Sequence, residues 1–116
     1  MHARSSLGAA GERLAARHLE KQGFEIVDRN YRCRAGEIDL VAARGDLVVF
    51  CEVKTRRSDR WGEPSEAVDR RKQARLRRLA GAWLAENGGR AEVRLDVISV
   101  LVENGRPQLV HLPDAF

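Results

Sequence analysis

Between Glu37 and Thr55 the chain reads EIDLVAARGDLVVFCEVKT, two alternating apolar runs separated by Arg-Gly-Asp. No other stretch narrows the fold as much. Side chains of an extended segment alternate between its two faces, and a reversal this short lays the runs side by side as an antiparallel hairpin. Val48, Phe50, Glu52 and Lys54 then share one face, and Leu47, Val49, Cys51 and Val53 the other. The fold must therefore carry a glutamate and a lysine inside a run otherwise suited to a core.

The flanking segments set the class. Ser5 to Gln22 reads as a helix that Gly23 stops, and FEIVDRNYR, from Phe24 to Arg32, as a strand. Glu37–Ala43 and Leu47–Thr55 form the hairpin. A polar loop, RRSDRWGEP, leads to a long helix from Ser65 to about Asn87. AEVRLDVISVLVENG and RPQLVHLP supply two further strands. The order αβββαββ predicts an α/β or α+β fold, a mixed sheet with helices packed on it. With 116 residues, 43% hydrophobic and 33% charged, one globular domain spanning 1–116 is expected. No apolar run reaches membrane-spanning length. The N-terminus has no central greasy block of the kind a signal peptide needs. Cys33 and Cys51 have no CxxC partner, which argues against zinc and, without an export signal, for a reducing cytoplasm.

The hairpin register locates the charges. With Arg44-Gly45 as the two-residue loop, Ala43 pairs with Asp46, Asp39 lies opposite Phe50, and Glu37 lies opposite Glu52. Asp39 and Glu52 become diagonal neighbours on one face, roughly 7–8 Å apart at the backbone. Carboxylates so close repel unless a proton or a cation sits between them. A hard divalent ion such as Mg²⁺ or Mn²⁺ takes carboxylate oxygens and keeps waters, so Asp39, Glu52 and the Val53 backbone carbonyl are the expected metal ligands. Lys54 would orient the attacking water or meet the charge building on a phosphate. These are the parts needed for phosphodiester hydrolysis. The plain alternative is an edge strand with a surface Glu-Lys pair.

A net charge of +4 suits a polyanionic partner. Arg56, Arg57 and Arg60 follow the charged strand, and Arg71, Arg75 and Arg78 form one stripe of the second helix, so these are expected to track phosphates. The Arg70/Arg77 side reads as a solvated face. Trp61 either stacks on a base or covers a core edge. His2, His18 and His111 lack metal-ligand spacing, and Asp96, alone among apolar residues, is expected to pair with Arg94 or another basic neighbour.

GEIDLVA followed by FCEVKTR resembles the core of the PD-(D/E)XK, or restriction-endonuclease-like, nucleases. More closely, the chain is similar to the YraN family of predicted endonucleases, themselves similar to archaeal Holliday junction resolvases. GERLAARHLEKQGFEIVDRNYR, RWGEPSEAVDRRKQARL and RLDVISV extend the resemblance over nearly the whole length. Glu37-Ile38-Asp39 stands where the superfamily has its proline-aspartate. The resemblance implies an αβββαβ core and catalytic roles for Asp39, Glu52 and Lys54. It adds Glu12, in GER, as a helix carboxylate completing the metal site, and Lys72, in VDRRKQARL, as a helix lysine. Helical spacing puts Glu12 within about 60° of Gly8, Ala9, Ala16 and Leu19, a small-residue face, with Arg13, Arg17, Glu20 and Lys21 pointing elsewhere. Otherwise Glu12 is an exposed early-helix acid favoured by the dipole. Lys72 lies within the stripe Val68, Leu76, Leu79 and Trp83, either as a snorkelling lysine or as a phosphate or active-site contact.

The resemblance implies DNA, branched DNA in particular, as substrate, and a two-fold homodimer with no membrane partner. Two rivals stand beside the nuclease: a non-catalytic nucleic-acid-binding module of the same fold, and a protein-interaction subunit whose acids are surface decoration.

Overall fold

The computed structural model describes residues 6–57 and 69–115. Helix α1 (Ser6–Lys21) is followed by strands β1 (Glu25–Cys33), β2 (Gly36–Arg44) and β3 (Leu47–Arg56). Helix α2 (Arg70–Glu86) then leads to β4 (Glu92–Glu103) and β5 (Arg106–Leu112). The strands lie in sequence order across one five-stranded sheet. Every neighbouring pair is antiparallel except β3 and β4, which run parallel and are joined through α2. The mixed α/β sheet expected from the sequence is present, and it is compatible with a restriction-endonuclease-like core. No described helix is long and apolar enough to cross a membrane.

Each helix covers one face. Leu76, Leu79, Ala80 and Trp83 of α2 bury against Tyr31, Ile38, Val41, Val48, Phe50, Leu95 and Val97. Ala15, Ala16 and Leu19 of α1 bury against Leu40, Ala42, Val49, Cys51, Ile98 and Val100. Val48 and Phe50 thus face α2 while Val49 and Cys51 face α1, as the alternation of β3 predicts. The small residues of α1 let it lie close to the sheet. Gly11 is buried, and a Cβ there would overlap Thr55 Oγ1 of β3. Two contacts hold Trp83: its ring meets Phe50 edge-on at 5.7 Å, and its Nε1–H donates to Asp28 Oδ2 at 3.0 Å.

Two expectations are corrected. The hairpin loop is Gly45-Asp46, so that Arg44 pairs with Leu47, Ala43 with Val48 and Val41 with Phe50. Gly45 takes φ +58 at the first loop position, where a type II′ turn demands it. Moving the loop by one residue shifts the register by two, so faces survive while partners change. The second helix starts at Arg70, because Asp69 is extended and caps it by accepting from the Lys72 N–H at 2.9 Å; residues 65–68 lie outside the described residues. Strand β1, read as loosely alternating, shifts its register between Ile26 and Asp28.

Candidate functional site

The seam between β2 and β3 opens where the acids lie. Leu40 opposite Cys51 is the last pair of that ladder, and one further step brings Asp39 level with Glu52. There the Val53 N–H donates to Asp39 Oδ2 at 2.7 Å, a side chain replacing the ladder carbonyl. N–H and C=O of one strand residue point to the same side, so the Val53 carbonyl faces that seam too. The alternation of β2 slips at this point. Ile38 and Val41 both pack with α2, whereas Leu40 and Ala42 pack with α1. On β1 the neighbouring Asn30 takes φ 54, between the pairs Arg29–Leu40 and Tyr31–Ile38. Irregular backbone in two adjacent strands thus coincides with the point where the Asp39 carboxylate enters the seam.

Glu52 is half-buried on the α2 side of β3, and its Oε2 is buried with no hydrogen-bond partner among the described residues. Its pKa is pushed up to about 7, first by burial and then by the charge of Asp39. Arg75 and Lys72 pull it back, and Glu37 adds a little repulsion. A buried acid that keeps neither proton nor partner at neutral pH is expensive, and such perturbed groups cluster at functional sites. Glu37 does not pair with Glu52 as the expected register had it. It sits opposite Arg32 on β1 and accepts from that guanidinium.

The cations divide. Arg75 is half-buried, and its side chain crosses the start of β2, with Cδ 3.2 Å from where a Cβ on Gly36 would stand. Its Nε is buried without a partner among the described residues, as is Arg56 Nε. Lys72, partly buried one turn earlier, lends its charge to Glu52. Lys54 is exposed on Glu52's side of β3, and Arg57 and Arg71 are exposed. Arg60 and Trp61 lie outside the described residues. Glu12 is partly buried on α1, next to the Gly11–Thr55 contact. It makes no trio with Asp39 and Glu52: among the described residues no three His, Cys, Asp or Glu side chains stand close enough to hold a metal ion. Among the described residues, two carboxylates and a main-chain carbonyl are the donors this seam presents.

A second polar cluster went unread in the sequence beyond its first pair. Asp96, fully buried on β4, accepts from Arg94 Nε and Nη2, both at 2.9 Å, from His111 Nε2 at 2.7 Å and from the Asp114 N–H at 2.9 Å. His111 Nδ1 lies 3.0 Å from His18 Nε2, which also receives the Gln22 amide at 3.2 Å. Burial alone would raise the Asp96 pKa, but these bonds outweigh it and hold the carboxyl below its usual value. Cys51, between the two acid clusters, is buried, which pushes its thiol well up.

A family model described as "Uncharacterised protein family UPF0102" matches residues 11–100. The chain is 53% identical over 113 residues to a UPF0102 protein of Rhodococcus jostii, covering 96% of each chain. It is 54% identical over 114 residues to one of Beutenbergia cavernae, covering 97% of each. A UPF0102 protein of Streptomyces griseus is 53% identical over 114 residues, with 96% of each covered.

Proposed function

The chain belongs to the UPF0102 family, the one its YraN resemblance pointed to, and on that premise we propose that it is a cytoplasmic, metal-dependent endonuclease of the PD-(D/E)XK superfamily, acting on branched DNA. One observation carries the reading: the buried oxygen of Glu52, without a partner among the described residues, beside Asp39 in a seam that the sheet leaves open. Mg²⁺ or Mn²⁺ suits this donor set, since carboxylates and a carbonyl are hard oxygen ligands and water fills the remaining positions. The ion, when bound, would neutralise phosphate charge and supply a more acidic water.

The residues of the chain divide the remaining work. Asp39 and Glu52 present the oxygens, and Glu12 assists from α1. Lys54, exposed and on the side of Glu52, positions the attacking water or meets the developing charge. Arg75 and Lys72 bring positive charge from α2 to the same seam, and Arg56, Arg57, Arg60 and Arg71 hold the backbone around it. A symmetric four-way junction calls for two such sites related by a two-fold axis, hence a homodimer.

Incubation of the purified protein with labelled junction, flap and linear DNA in Mg²⁺ or Mn²⁺ tests this. Cleavage of the junction by the wild type, lost in Glu52→Gln and Asp39→Asn, is expected. No cleavage of any substrate, or unchanged cleavage by both variants, overturns it. A rival reading is a nucleic-acid-binding module that does not cut, since among the described residues no third carboxylate joins Asp39 and Glu52. Tight, salt-sensitive binding without turnover in either metal would select it.

A further inference from the structure

On the α1 side of the sheet, the outer surface of α1 and the strand β1 enclose a concavity of about 320 Å³ lined by Arg13, Ala16, Arg17, Glu20 and Arg29. Its three arginines are exposed, and among the described residues none of them pairs with a carboxylate. Glu20 is the one acid of the lining, so positive charge is in excess. Arg13 and Arg17 stand one helical turn apart, an arrangement that costs a lone helix stability because like charges at this spacing repel. The fold gains nothing visible from it; a polyanion would resolve it. Four residues of helix set the two side chains' points of attachment about 6 Å apart along the axis, comparable with successive phosphates on one strand.

Position links the groove to the seam. Arg13 follows Glu12, in the turn whose Gly11 packs on Thr55, the residue after Lys54. Arg29 sits opposite Leu40, the residue after Asp39. Each wall is thus one or two residues from a candidate catalytic side chain, on the face of the sheet opposite Arg75 and Lys72. Among the described residues no aromatic side chain lines the groove, so its described lining offers guanidiniums rather than a platform for stacking an unpaired base; bonds from those guanidiniums to phosphates position a duplex without reading its sequence.

We infer that the α1–β1 groove binds the sugar-phosphate backbone of duplex DNA, with Arg13, Arg17 and Arg29 as its contacts, on the far side of the seam from α2. This rests on the reading of the seam as a site for DNA. It gives the chain two phosphate-holding surfaces with the candidate site between them.

Binding of a labelled duplex, followed by fluorescence anisotropy in EDTA over a salt series, tests it apart from cleavage. In Arg13→Gln/Arg17→Gln/Arg29→Gln, affinity falls about tenfold or more for every duplex sequence, and the slope of log K against log salt shrinks by about two to three. The Glu20→Gln variant tightens binding. The thermal melts of both stay near that of the wild type, which separates lost contacts from lost folding. An unchanged slope in the triple variant, or equal loss for single-stranded and duplex probes, overturns the proposal. A wild type that never cuts DNA while the triple variant still loses affinity sinks the nuclease reading and leaves the groove standing; cleavage with an unchanged slope does the reverse.

Discussion

Two acids occupy adjacent central strands and meet opposite fates. Cys51 on β3 pairs with Asp96 on β4, and Glu52 is its next neighbour. Asp96 has four hydrogen bonds from a guanidinium, an imidazole and a main-chain amide, and its carboxyl is held low. Glu52 keeps a buried oxygen with no partner among the described residues and is pushed up to about 7. Buried polar groups are normally satisfied, so the first acid is explained by the fold and the second is not. The difference teaches where to look for chemistry: at the acid whose partners the chain does not itself provide.

The comparison breaks most sharply at Asp96. Asp96→Ala leaves Arg94 and His111 facing an empty buried position, and should cost roughly 3–5 kcal/mol in chemical denaturation. Glu52→Gln has the opposite sign. A carboxyl with a folded pKa near 7 and an ordinary unfolded value favours folding fully only below the unfolded value, and this contribution is lost as pH rises through about 7. The variant should therefore be more stable than wild type at pH 8, by on the order of 3 kcal/mol, and nearly equal to it at pH 4. Denaturant melts at the two pH values decide it; equal stability at both would mean that Glu52 is solvated.

Divalent cations sharpen the contrast further. At ten to a hundred times its Kd, Mg²⁺ or Mn²⁺ should stabilise the wild type by about 1–3 kcal/mol, more at pH 8 than at pH 6 because Glu52 must give up its proton. Glu52→Gln should abolish the shift and an Asp96 variant should keep it. The smallest effect belongs to the outer end of the Asp96 cluster. Burial, His111 and Lys21 lower the His18 pKa, so its contribution to stability is lost as pH falls below 6.5. Acidification thus acts on His18 against the gain at Glu52, and a His18→Gln variant should show a slightly steeper rise in stability on going from pH 7 to pH 5.

Much of the β3 side of the seam was legible because that strand keeps its period of two. Val48, Phe50, Glu52 and Lys54 share a face whatever the register, and a shift of two residues leaves that true. The partner of Glu52 depended on which two residues turn the hairpin, and Gly45 takes the first loop position rather than the second. The inward stripe of α1 was readable from Ala16 and Leu19, but Gly11 was not, since the neighbour that demands its missing side chain, Thr55, lies on another element. Arg94 beside Asp96 was visible two residues away. His111 and His18 were not: they are 93 residues apart and meet only because α1 docks near the edge strand β5. Nor does any local pattern mark the slip of β2 at Asp39, which coincides with the left-handed Asn30 of the adjoining strand.

The Val53 amide ties Asp39 into the architecture as firmly as into any reaction. One oxygen of that acid stands in for a piece of main chain, so truncating it unbuttons two strands at their working end, and a dead truncation mutant would be mute about mechanism. Asparagine surrenders the charge yet keeps an acceptor for that amide. It is the scalpel at this position; alanine is the hammer.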